Sequence, residues 1–353
     1  MRLSRKALSE YDARLAKLEG AAYDHVRKRI EAYLAAFPRV SAESVREFAI
    51  EQVNDAVLTY GDGASSLAAD LYDEMAESAG VTIDSAVIDT SDVSAYVERE
   101  VRYQIRKYLD GDTAGFSDAC GNQASEQVGR RANQTMRINA KRDGIRYARV
   151  PMGSETCTFC IMLASRGFVY LSASAAGEGN HFHRGCRCKV VPGFSGMEVE
   201  GYDPDELYRK WKGFDKIDKM QGVSDFDKRV LKAAFVQGRE PYDRVMKALD
   251  DYEITSAKLE RYALSPDGDA NKAKAFAGYL GYTAKDAAEV AARMYAHVAE
   301  HEPERRNTDE YGDRFTTHMT MDGKDGRSAL VKAGWITDKK KGKLRLTSIY
   351  VNK

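Results

Sequence analysis

The chain has 353 residues, with 54 Lys or Arg against 54 Asp or Glu, so its formal net charge is zero. That balance excludes a global electrostatic attraction to nucleic acid or membrane and leaves only local patches to supply one. A hydrophobic content of 43% beside 31% charged residues suits ordinary folded cores, and the length allows two or three domains of roughly 100–200 residues. No apolar run approaches the ~20 residues of a membrane helix, and "MRLSRKALSEYDARLAKLEG" lacks the apolar centre of a signal peptide. Thiols are therefore expected to stay reduced, which makes clustered cysteines better metal ligands than disulfide partners.

Residues 1–145 read as helices. Leu8, Tyr11, Leu15, Leu18, Ala22, Val26, Ile30, Tyr33 and Phe37 recur at intervals of three and four, one apolar stripe that Pro38 ends. Ser41 suits the N-cap of a second helix carrying Val45, Phe48, Val53, Val57, Leu67, Leu71 and Met75, with a weak point expected at Gly61 and Gly63. "SDVSAYVEREVRYQIRKYLDG" predicts a third amphipathic helix stopped at Gly111, and a fourth runs from about Phe116 to Lys141. Around its end stand Arg130, Arg131, Arg137, Lys141, Arg142, Arg146 and Arg149 against one acid, Asp143. Arg130, Arg137 and Lys141 share a helical face that would suit the phosphates of DNA, although such a run is also the signature of a solvated face.

Four of the five cysteines lie between Cys157 and Cys188. Cys157 and Cys160 form a C-x2-C pair, and His181, His183, Cys186 and Cys188 follow as H-x-H-x2-C-x-C. Paired thiols and imidazoles at these spacings suit a tetrahedral zinc. Cys157, Cys160 and Cys186 would supply three thiolates, and His183 or Cys188 the fourth ligand. Neither the H-x-E…P-C-x-x-C signature of zinc deaminases nor H-E-x-x-H is present, so a structural zinc is expected, with Cys120 taking no part.

"RYARVPMGSETCTFCIMLASRGFVY" followed by "HFHRGCRCKVVPGF" resembles the core motif of the Mu-type head-morphogenesis family of phage minor head proteins. Its hallmark, C-x2-C then H-x2-C-R-C, falls here on Cys157, Cys160, His183, Cys186, Arg187 and Cys188. "YGDGASSLAADLYDEMAESAG" is similar to the N-terminal part of that group in actinobacterial phages. The resemblance covers about 200 residues. It implies a minor capsid protein near the portal, partnered by portal and capsid proteins, in the head interior or in host cytoplasm during assembly.

A charged helical stretch, 198–260, is expected as a connector. Beyond it, "NKAKAFAGYLGY" and "AKDAAEVAARMYAHVAEH" predict helices, and "DRFTTHMTM", "SALVKAGWI" and "KLRLTSIYV" predict three strands joined by Gly-bearing turns. From about Tyr262 to Lys353 the chain resembles a toxin-type domain of the barnase–EndoU–colicin–RelE-like ribonucleases. The resemblance rests on Lys-Ala before Leu-Gly-Tyr, Gly-Arg ahead of Val-x3-Trp, and a last strand reading Arg-Leu-Thr. Metal-free RNA cleavage needs a base, an acid and cations. His318 is the one histidine on the predicted strands; Arg327, Lys332 and Arg345 offer charge and Thr347 a hydrogen bond. From Ser328 onward seven basic residues face one acid, Asp338, which suits a polyanion such as RNA.

The expected organisation is a helical region (1–145), a small zinc-stapled α+β core (146–197), a connector (198–260) and a separate α+β domain with an antiparallel sheet (261–353). Two functions follow. One is a virion component delivering a C-terminal metal-independent ribonuclease. The other is a zinc-stabilised, DNA-binding structural protein without catalysis. Neither needs a membrane.

Overall fold

The computed structural model describes residues 2–152, 157–172, 175–176, 188–194, 196–338 and 342–352. The chain divides into two compact units, Met1–Trp211 and Lys212–Lys353.

In the first unit β1 (Arg2–Leu3) precedes four long helices, α1 (Arg5–Ala36), α2 (Ala42–Ser78), α3 (Ser94–Leu109) and α4 (Thr113–Arg142). The α1 stripe is buried at Leu8, Tyr11, Leu15, Ala22, Val26 and Ile30. The hydroxyls of Ser4 and Ser41 cap α1 and α2 by accepting the N–H groups of Ala7 and Ser44, each at 3.1 Å. The weak point expected at Gly61 and Gly63 is corrected, since α2 runs through both. Gly61 is where α4 crosses: a Cβ there would lie 2.7 Å from Cδ of Arg131. The missing side chain serves close approach, not a bend.

The extended segment between α2 and α3 is pinned to α4 by polar side chains. Asn139 accepts from Val87 N–H at 2.9 Å and donates to the Val87 carbonyl at 2.8 Å, while Thr135 accepts from Asp89 N–H at 3.0 Å. Buried main-chain groups that have no strand partner are thereby satisfied.

After α4 come β2 (Tyr147–Pro151), α5 (Thr158–Ala164), β3 (Cys188–Pro192), β4 (Glu198–Val199) and α6 (Pro204–Asp218). β2 and β3 pair antiparallel, and β4 lies parallel to β1. Tyr147, Ala148, Val150, Val190 and Val191 join the same core as Leu15, Val53 and Val128, so the core is continuous across the expected boundary at 145/146. Lys189 on β3 meets Asp12 on α1 at 2.8 Å, their side chains only 5% and 14% exposed.

The second unit continues with α7 (Asp225–Gln237), α8 (Arg239–Asp251), β5 (Tyr252–Glu253) and α9 (Ser256–Lys258), which widens into a π turn over Leu259–Ala263. Then follow α10 (Ala270–Leu280), α11 (Ala287–Val298), β6 (Glu304–Asp309), β7 (Gly312–Asp322), β8 (Ser328–Asp338) and β9 (Lys343–Val351). The last three are the strands expected from alternation. The sheet runs β5-β9-β8-β7-β6. The expected antiparallel sheet is corrected to a mixed one, because β5 pairs parallel with β9. Met319, Val331, Ala333, Trp335, Leu346 and Ile349 face the helices, and the fully buried Trp335 indole donates to Thr317 Oγ1 at 3.0 Å. Ile217, Phe226, Val230, Leu231 and Val245, all from the stretch expected as a connector, lie in this second core. Among the described residues no helix is long and apolar enough to cross a membrane.

Candidate functional site

Two neighbourhoods carry chemistry. The first is the sheet face of the second unit that turns away from the helices. Because β7, β8 and β9 are in register, residues align across them in rows. His318 pairs with Lys332, and Lys332 pairs with Tyr350. The next row is Thr316, Gly334 and Ser348, and the third is Arg314, Ile336 and Arg345. His318 and Arg345 are exposed, while Lys332, Thr347, Ser348 and Tyr350 are half-buried.

A bulge shapes this face. Gly334 pairs with Ser348 but Trp335 with Leu346, which leaves Thr347 as the extra residue. Thr347 Oγ1 donates to the Gly334 carbonyl at 2.9 Å. A Cβ on Gly334 would meet Ser348 Oγ at 2.7 Å and Thr347 Oγ1 at 3.4 Å, so both hydroxyls gather over the one residue without a side chain. On the neighbouring strand β6, Arg306 donates to Thr316 Oγ1 at 3.4 Å.

The structure thus pairs His318 with Lys332, sets Thr347 at the bulge beside Gly334 in the next row, and puts Arg345 on the same face, one row beyond Gly334. It does not bring Arg327 there. Arg327 stands in the turn before β8, bound to Asp325 and, at 2.8 Å, to the carbonyl of Gly278. Sequence reasoning missed Ser348, Tyr350 and Arg306. It also missed His297 and His301, whose rings stack with centroids 4.5 Å apart and planes within 10°. Burial, and then the neighbouring His301, push the His297 imidazole below its ordinary pKa, although a hydrogen bond with the His318 main chain works the other way.

The second neighbourhood is the cysteine segment. Cys157 caps α5, its sulfur accepting the Cys160 N–H at 3.3 Å. Cys160 is buried, with the guanidinium of Arg149 at 3.8 Å from its sulfur, and Arg149 also donates to the Ala176 carbonyl at 2.9 Å. Cys188 opens β3, opposite Pro151 of β2. His181, His183 and Cys186 lie outside the described residues. Among the described residues no group of three or more His, Cys, Asp or Glu is placed to hold a metal ion. The thiols present do fit a zinc in donor type, and they stand at the two places where the chain enters and leaves the segment bearing the remaining candidates. Cys120 sits apart in the helical core, where burial pushes its thiol up to about 12.

The basic run on α4 is largely engaged within the fold. Arg130 pairs with Glu126 at 2.7 Å and lies over the Tyr96 ring, and Arg131, 4% exposed, pairs with Asp62 at 2.7 Å. Arg142 donates to the carbonyls of Ser85 and Asp84, and Arg146 to that of Val169. Arg137 is partly buried, which pushes its guanidinium below the ordinary value, and Lys141 is exposed.

The chain is thus a long-helix unit with a Cys-bearing α+β part, followed by a two-layer α+β unit with a basic sheet face. The chain belongs to the VG15 protein family, matched over residues 2–214; this family is viral and phage-associated and fits a phage protein. Residues 246–353 match a domain of unknown function, DUF6883. No curated protein and no solved structure matches the chain.

Proposed function

We propose that this protein is a phage minor capsid or head-morphogenesis component, stationed near the portal, whose second unit cleaves RNA without a metal. The VG15 membership of residues 2–214 supports the first part. The single observation that carries the second is the row His318–Lys332–Tyr350 on an exposed sheet face, flanked by the hydroxyls of Thr347 and Ser348.

In this reading His318 takes the proton of a ribose 2′-hydroxyl as that oxygen attacks the adjacent phosphorus. The bond from phosphorus to the 5′-oxygen breaks, and the leaving oxygen takes a proton from the Tyr350 hydroxyl. Lys332 and Ser348 hold the phosphorane oxygens, Thr347 fixes the Gly334 carbonyl beside them, and Arg345 holds the incoming strand. The products are a 2′,3′-cyclic phosphate and a 5′-hydroxyl; a proton returned from His318 through water restores Tyr350.

In the first unit, Cys157, Cys160 and Cys186, with His183 or Cys188, would hold a structural zinc that staples the segment to α5 and β3. The test of the catalytic part is incubation of the purified full chain with RNA, with and without EDTA. Cleavage to cyclic-phosphate ends under both conditions is expected. Intact RNA, or cleavage that EDTA abolishes, overturns it.

A further inference from the structure

Two lysines of the second unit, Lys258 and Lys272, take no part in the cleavage chemistry. Lys258, ending α9, and Lys272, in the first turn of α10, hold their ammonium groups 5.1 and 4.7 Å from the centre of the Tyr262 ring. Tyr262 itself is 39% exposed. Burial, then Lys272, then Arg345 push the Lys258 ammonium below its ordinary pKa. Two carboxylates stand by them: Asp269 lies 3.4 Å from Lys272, and Glu253 of β5 is opposite Arg345 in the sheet register. The Asp269 carboxylate also caps α10, accepting the Lys272 N–H at 3.1 Å.

The arrangement is fixed by the main chain. A Cβ on Gly268 would fall 2.3 Å from the Arg261 carbonyl oxygen and 2.5 Å from the Tyr262 Cα, so the loop before α10 lies directly on the Tyr262 backbone. Asp269 N–H closes it by donating to the Tyr262 carbonyl at 3.1 Å. Three positive groups against two carboxylates leave a net positive patch, whose Coulomb energy a bound anion would relieve.

We infer that Lys258, Lys272 and Arg345, gathered about Tyr262, bind backbone phosphate of an RNA strand that continues along the sheet face to His318. Arg345 belongs to both places: its charge reaches Lys258, and it occupies the row of Ile336, four residues along β8 from Lys332. At ~3.3 Å per strand residue that is about 13 Å, a span that a single small phosphate ester does not bridge and a polynucleotide does. The identity of the ligand as RNA rests on the cleavage reading; the cation cluster does not.

The test uses the full chain carrying His318→Ala, so that a 5′-labelled single-stranded RNA stays intact during titration by fluorescence anisotropy. Adding Lys258→Gln and Lys272→Gln should weaken binding by about tenfold or more. It should also make the salt dependence shallower by about 0.7 in log–log slope for each phosphate that is no longer neutralised. Lys258→Arg with Lys272→Arg should retain tight binding, which separates lost charge from lost fold. Unchanged affinity and slope in the Gln variant, or no salt-dependent RNA binding in the parent, overturns the proposal. So does displacement of long and short RNA alike by millimolar inorganic phosphate at constant ionic strength, which would mark a site for free phosphate. Binding that depends on these lysines, in a protein that never cuts RNA, would instead sink the cleavage reading and leave this site standing.

Discussion

His297 shows how one side chain couples the strand bearing His318 to stability. Its imidazole is held below the ordinary value of about 6.5 by burial and by His301, so the folded protein resists protonating it while the unfolded chain does not. Above the ordinary value both states are neutral and the group contributes nothing to the pH dependence. As pH falls below about 6.5 and through the lower folded value, the unfolded state binds the extra proton and stability is lost. Denaturation of the His297→Gln variant should therefore show a flatter loss of stability between pH 7 and pH 5 than the parent. Equal slopes in the two proteins would remove His297 from that role. The basic residues around α4 carry a related lesson. A count of charges between Arg130 and Arg149 cannot distinguish exposed Lys141 from Arg131 or Arg149, because both guanidiniums are buried by what crosses them from distant sequence.

Elements were legible where burial imposes a period. β7, β8 and β9 each place alternate residues on the helices, and α1 buries one stripe, so both patterns stand in the sequence. β6, "ERRNTD", is an exposed edge with no apolar side chain to alternate, and β5 has only two residues, so neither left a signal. The candidate site was half legible for a specific reason. Leu344, Leu346, Ile349 and Val351 point to the core, and the interval of three between Leu346 and Ile349 is the trace of the Thr347 bulge. Strict parity carried across that interval assigns Ser348 and Tyr350 to the wrong side. The cysteine segment poses the element-scale prediction: about one zinc per purified chain by elemental analysis. Structural zinc supplies on the order of 10 kcal/mol in small sites, so Cys157→Ser should lose the metal and loosen α5 and β3 in hydrogen exchange while α1 and α2 stay protected. A metal-free protein with unchanged protection in the variant would refute the staple.

At the scale of the whole molecule, each unit has its own core, and the second draws on more chain than its strands and last helices. Ile217, Phe226, Val230, Leu231, Ala234, Val245 and Ala248 all come from before residue 261. A fragment of residues 204–353 should unfold cooperatively, whereas 261–353 should lack a cooperative transition, because those seven residues, Ile254, Leu259 and β5 with its Tyr252 are missing. Cooperative melting of the shorter fragment would contradict this division. On the proposed function, this phage-family protein carries an RNA-cleaving sheet face centred on His318. The most direct measurement of it is the single-turnover cleavage rate of the full chain beside its His318→Ala variant, at matched RNA occupancy and with melting temperatures recorded. The expected result is a loss on the order of 100- to 10,000-fold with RNA affinity and melting unchanged. Equal rates in the two proteins, or no cleavage by either, would contradict it.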